Sequence, residues 1–180
     1  MLGRNSVAGL IDLLKKKKPE ILERWIRLIV ETYSADTARI LRLEKDEFVN
    51  PVGTTLSRET EVLYGELLTG MDSEKIARAL DQIIRIRSVQ DFLPSQVVLF
   101  VPLLKKAIQE ELAGEMEGGA FFREWLGFEP KIDRLFLLAV DLYTKCRETI
   151  YEIRLRDMKN QKDRAFELMA RSGMDAGEEE

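Results

Sequence analysis

Apolar residues recur along most of the chain at intervals of three and four, the spacing that places side chains on one face of an α-helix. Val7, Leu10, Ile11 and Leu14 form one such face, with Ser6 in N-cap position before them. Pro19 suits the opening of a second helix, whose stripe of Ile21, Leu22, Trp25, Ile26, Leu28 and Ile29 ends near Tyr33. Asp36 can cap a short helix to about Leu43, after which Asn50, Pro51 and Gly53 read as loop punctuation. A helix from about Thr55 to Leu68 turns Leu56, Val62, Leu63 and Leu67 inward, and Gly70 stops it. Asp72 or Ser73 caps the next helix, to about Val89, with Ile76, Leu80, Ile83 and Ile84 as its stripe and Arg87 as its polar close.

Pro94 opens a further helix to Leu112. Its run at residues 96–104 is rich in β-branched and aromatic residues, but the good helix formers that follow continue the same element, so helix is preferred to strand. Pro102 is expected to kink it. Gly114, Gly118 and Gly119 mark a loop, a short aromatic helix spans residues 121–128, and Pro130 begins the longest element. No Gly or Pro occurs from Lys131 to Met169. Ile132, Leu135, Phe136, Ala139, Leu142, Tyr143, Cys146, Ile150 and Ile153 are its inward candidates, and charge dominates beyond about Arg154. The expectation is an all-α, single-domain bundle of about six to seven helices, residues 1–171, followed by a disordered acidic tail, residues 172–180.

Composition narrows the chemistry. Among 180 residues there is no histidine, which excludes Ser-His-Asp and Cys-His catalysis, His-ligated zinc and a histidine-held haem. The formal net charge of −4 argues against general attraction to nucleic acid. The one cysteine, Cys146, lies on the apolar stripe of the last helix and reads as a small buried hydrophobe. No run approaches the ~20 apolar residues of a membrane span, and the N-terminus lacks secretory character, so a cytoplasmic location is expected.

Four candidate features remain. Lys15, Lys16, Lys17 and Lys18 could make weak peripheral membrane contact, although cations at a helix C-terminus and the nearby Glu20 and Glu23 explain them more simply. The acidic pairs Glu20 with Glu23, Glu44 with Glu47, and Glu110 with Glu115 have no histidine to complete a di-iron set and read as helix surface. Phe121, Phe122, Trp125 and Phe128, with Trp25, Phe92 and Phe100, either fill the core or line a pocket for a flat apolar ligand. The stretch holding Arg39, Arg42, Lys45, Asp46, Asn50 and Pro51 is either a solvated connector or a functional loop.

On that last stretch, residues 32–53 (TYSADTARILRLEKDEFVNPVG) resemble the RsbRD N-terminal domain family, as do ILERWIRLIVETY before it and SVQDFLPSQVVLFVPLLKKAIQEEL at residues 88–112. The resemblance covers roughly residues 10–155. It implies an RsbT co-antagonist sensor domain of stressosome-type signalling: all-α, globin-like without haem, often dimeric. The sequence departs from the family's expected pattern at Ser34, where Pro is expected, and at Leu93, where Thr is expected. The chain ends soon after the long helix, so a sensor standing alone without its output domain is expected.

The resulting expectation is a non-enzymatic signalling module without cofactor or metal. It works through helix packing, with a protein partner and a second copy of itself, and without nucleic acid or a membrane span. Trp25, Tyr33, Arg39, Arg42, Lys45, Asn50, Pro51, Phe121, Phe122 and Trp125 are the candidate partner- or ligand-binding residues. The competing readings are a small apolar ligand carrier and an accessory subunit of a larger membrane-associated complex.

Overall fold

The computed structural model describes residues 6–43, 49–90, 92–116, 119 and 121–175. Among these residues the chain is all-α, in nine helices: α1 (Ser6–Lys16), α2 (Lys18–Val30), α3 (Ala35–Leu43), α4 (Pro51–Leu68), α5 (Ser73–Ser88), α6 (Pro94–Val98), α7 (Phe100–Glu111), α8 (Ala113–Met116) and α9 (Phe122–Asp175). Two compact units are present, residues 1–143 and residues 144–180.

In the first unit α2 packs on α7 and α4, and α4 packs on α5. The reason is visible in α2, where Ile21, Trp25, Leu28, Ile29 and Val30 are all buried. Trp25 is fully enclosed and donates from Nε1 to the Phe100 carbonyl 2.6 Å away. Tyr64 of α4 is enclosed in the same way and donates to the Leu14 carbonyl at 3.0 Å. Each long aromatic side chain therefore fills the core and also satisfies its single polar atom on a neighbouring helix. α5 starts where the cap was expected, with the Asp72 carboxylate accepting from the backbone of Glu74 and Lys75.

Three sequence expectations are corrected. The helix expected over residues 94–112 is two helices, broken at Leu99. The break places Pro102 in the first turn of α7, where a backbone N–H has no intrahelical acceptor and its loss costs nothing. The aromatic helix at residues 121–128 and the long helix are one element, α9, with Pro130 inside it. α4 begins at Pro51 rather than near Thr55. Asn50 is its N-cap, accepting from the Gly53 backbone at 2.8 Å, and the helix does not need a loop there. α4 ends at Leu68, just before Gly70, and Met71 follows in the left-handed region (φ 55°).

Within α9, Ile132, Leu135 and Ala139 are buried. Beyond Ala139 no residue whose side chain is described is buried: Leu142, Tyr143, Cys146 and Ile150 are half-exposed and Ile153 is 50% exposed. α9 is the one described helix in residues 144–180, so that unit supplies no second element to cover its apolar side chains.

Candidate functional site

Among the described residues of the first unit one guanidinium is buried. Arg87 lies at the end of α5 on the same face as Ile76, Leu80 and Ile83, and it is 0% exposed. Its Nε donates to the Val97 carbonyl at 3.1 Å, and its Nη2 donates to the Gln96 carbonyl at 2.8 Å and to Thr32 Oγ1 at 3.0 Å. The guanidinium carbon stands 4.9 Å from the Tyr33 ring centre and 4.4 Å from that of Phe92. The two rings meet edge to face at 5.0 Å. Arg87 thus ties the C-terminal end of α2 to the start of α6 through carbonyls, a hydroxyl and two π faces. Among the described residues no carboxylate forms an ion pair with it.

A buried cation without a carboxylate is costly, and the electrostatics show it. Burial pulls the Arg87 guanidinium below its usual range, partly offset by the nearby Tyr33 phenol. Burial pushes the Tyr33 phenol up, partly opposed by Arg87. Arg87 Nη1 and Tyr33 Oη are both buried without a hydrogen-bond partner, so the ring and the guanidinium meet by charge and stacking rather than by a well-formed hydrogen bond.

A second feature is a groove of about 760 Å³ among α2, α3 and α4. Ile26, Val30, Leu41 and Leu56 give it an apolar floor, and Glu23, Arg27, Arg58 and Glu61 charge its rim. Asn50 lines it and is held by its cap to Gly53 and by donation to the Leu41 carbonyl at 3.2 Å. A Cβ at Gly53 would overlap the Asn50 side chain, so the Asn-Pro-x-Gly sequence is a built helix start in which glycine makes room for the cap. A smaller cavity of about 170 Å³ sits beside α1 and α9, where buried Glu124 accepts from the Leu10 backbone at 2.6 Å.

The sequence candidates fall in different places. Trp25 is core. Tyr33 belongs to the Arg87 joint, and Asn50 belongs to the groove. Arg39 and Pro51 are exposed, the side chain of Arg42 and the whole of Lys45 lie outside the described residues, and so do Glu44 and Glu47. The aromatics divide: Trp25 meets the Phe100 backbone, Phe92 pairs with Tyr33, and Trp125 pairs with Phe128 at 6.3 Å. Phe121 is half-buried and Phe122 is 59% exposed.

Lys17 pairs with Glu115 at 2.5 Å, and Lys18 with Glu61 at 2.6 Å. Lys17 holds the Glu115 carboxyl below its usual range. Arg24 pairs with Glu110 and Glu111, which makes the Glu110 and Glu115 carboxylates part of an ionic seam against α2. Among the described residues no group of His, Cys, Asp and Glu could hold a metal ion, and no helix is long and apolar enough to cross a membrane.

Sequence reasoning missed Arg87. The signal was present: positions 76, 80, 83 and 87 continue one helical stripe, so a charged residue at the last of them is inside by geometry. The joint also connects segments that carry the family resemblance, through Thr32 and Tyr33 in residues 32–53 and Phe92, Gln96 and Val97 in residues 88–112.

A family model, the RsbT co-antagonist protein rsbRD N-terminal domain, matches residues 19–158. The chain belongs to this family. The RsbRD N-terminal match runs from the start of α2 into the second half of α9, so the Arg87 joint and the groove both fall inside it. Membership places the chain among signalling-related sensor domains. No curated protein and no solved structure matches it.

Proposed function

We propose that this RsbRD N-terminal domain is a non-enzymatic sensor that acts in stress signalling through helix packing, a protein partner and self-association in the cytoplasm. One observation carries the reading. Four buried side chains with polar atoms bridge helices: Arg87 links α5 to α2 and α6, Trp25 links α2 to α7, Tyr64 links α4 to α1, and Glu124 links α9 to α1. Catalysis calls for polar groups converging on a cleft, whereas these groups fix how helices meet. A joint held by uncharged acceptors around a buried cation is an element whose packing a signal can shift.

The test is affinity capture of the tagged full chain from its own cells, combined with light scattering. A defined protein partner and a dimer are expected. Reproducible turnover that survives repurification would overturn the reading.

The groove among α2, α3 and α4 favours a second reading, a carrier of a small apolar ligand, because its volume and apolar floor suit one. Native mass spectrometry after gentle purification separates the two: a co-purified apolar molecule supports the carrier, and an empty chain supports signalling by packing.

A further inference from the structure

The cavity of about 170 Å³ beside α1 and α9 has apolar walls from Leu10, Ile11, Leu68 and Phe128, and two charges of opposite sign line it, Glu124 and Lys131. Both stand on α9, seven residues apart, which is two turns and ~10 Å along the axis. Glu124 is 8% exposed. Its Oε2 accepts from the Leu10 backbone at 2.6 Å, while its Oε1 accepts no hydrogen bond from a described residue. Gly9 lets the carboxylate reach the α1 backbone, since a Cβ there would come 3.2 Å from the Phe121 ring and 3.6 Å from Oε2. Lys131 Nζ donates to the Leu67 carbonyl at 3.3 Å and stands 5.6 Å from the Phe128 ring centre. An ammonium has three donors, so two of them keep no protein acceptor among the described residues.

Among the described residues neither charge belongs to an ion pair, with the other or with a third group. A buried carboxylate without a cation is costly, and apolar walls supply no donor to offset the cost. One carboxylate does not hold a calcium or magnesium ion, which calls for about six oxygens, and among the described residues no acidic set completes a metal site. The chemistry that fits is an organic ammonium. The cavity lies well below the ~300–1,000 Å³ of a pocket for a drug-sized ligand, so the molecule is small. A plain amine would answer Glu124 and leave a second cation, Lys131, in the wall of the same cavity. A zwitterion answers both: its ammonium donates to Glu124 Oε1 and its carboxylate accepts from Lys131 Nζ, a charge-assisted hydrogen bond at either end.

We propose that this cavity binds a free α-amino acid with an apolar side chain, held by Glu124 and Lys131 at its two charges and by the apolar walls along its side chain. An amino acid inside a peptide lacks both charges, so the site selects the free molecule. The bound molecule would touch α1, α4 and α9 together and so bear on how these helices meet. As the stimulus of a sensor the amino acid rests on the proposed signalling role, whereas its binding does not.

The test is isothermal titration of the full chain with L-valine, L-leucine, L-methionine and L-phenylalanine. At least one should bind, and its own decarboxylated and deaminated analogues (for leucine, 3-methylbutylamine and 4-methylpentanoate) should bind about tenfold more weakly or worse. Binding by none of the four up to millimolar concentration overturns the proposal, and so does an amine that binds as tightly as its amino acid. Two variants locate the site. Glu124→Gln keeps an acceptor for the Leu10 N–H, and Lys131→Met keeps most of the aliphatic stem. Each should stay folded by thermal melting and lose about tenfold or more in affinity. Unchanged affinity in a folded variant places the site elsewhere and overturns the proposal. Should one variant fail to fold, the other and the analogue series on the parent still decide. A chain that binds the amino acid but has neither a protein partner nor a dimer keeps the site and loses only the signalling role.

Discussion

The Arg87 guanidinium lies over the face of the Tyr33 ring, 4.9 Å from its centre, and one polar atom of each side chain, Nη1 and Oη, is buried without a hydrogen-bond partner. The contact holds the end of α2 against the end of α5, because Tyr33 follows the one helix and Arg87 closes the other. Its strength comes from charge against π density, while the other guanidinium nitrogens bond the Val97 and Gln96 carbonyls and Thr32.

Arg87→Met should destabilise the fold, even though the charge is costly to bury. Methionine fills similar space but leaves the buried Val97 carbonyl without its donor, and a stranded buried acceptor costs about 1–3 kcal/mol. Arg87→Lys should not rescue it, because an ammonium cannot serve Val97, Gln96 and Thr32 with the planar fork of a guanidinium. Urea denaturation checks both. A methionine variant as stable as the parent would show that the joint contributes no stability.

Tyr33→Phe should be neutral or stabilising by up to about 1 kcal/mol, since it removes a buried hydroxyl without a partner and keeps the ring under Arg87. Thermal melting reads this directly. A clear loss of stability would mean the hydroxyl has work to do in the folded state.

Asn50 and Gly53 should be strongly coupled. Asn50→Ala removes the cap of α4 at a cost of about 0.5–2 kcal/mol. Gly53→Ala forces a Cβ into the Asn50 side chain and should also destabilise. In the Asn50→Ala background that collision is gone, so Gly53→Ala should cost far less there. A double-mutant cycle with additive effects would contradict the geometry.

Tyr64→Phe should resist alkali better than the parent relative to its stability at neutral pH. Burial raises the Tyr64 phenol well above its ordinary value, so the folded state favours the protonated form. With the folded value above the unfolded value of ~10, that contribution is complete below the unfolded value and is lost as pH rises through the folded one. The parent should therefore lose stability above about pH 10 more steeply than the variant. Losing the hydrogen bond to Leu14 should cost Tyr64→Phe about 1 kcal/mol at neutral pH. Urea midpoints at neutral and alkaline pH give both numbers. Parallel pH profiles for the two proteins would contradict the buried ionisation.

What the sequence determined alone was the kind of element and the faces it buries. Periodicity puts Ile21, Trp25 and Ile29 on one side of α2 and Ile76, Leu80 and Ile83 on one side of α5, because side-chain direction in a helix follows from backbone geometry a few residues long. Asp72 was legible as a cap for the same reason: its acceptors sit two and three residues away. The absence of histidine was read by inspection, and with it the exclusion of Ser-His-Asp and Cys-His catalysis.

Tertiary structure decided where helices break and what a buried charge meets. The helix ahead of Pro102 is interrupted at Leu99 while Pro130 passes inside α9, and no local rule separates two prolines in similar surroundings. Asn50 and Pro51 read as loop residues until Gly53 is seen beside the Asn50 side chain at the start of α4. Arg87 could be placed on an inward stripe from spacing alone, but the carbonyls of Gln96 and Val97 and the hydroxyl of Thr32 that make its burial tolerable come from other segments. Local geometry sets which way a side chain points. Whether a cation can remain there depends on acceptors brought in by distant parts of the chain, and only the folded packing supplies them.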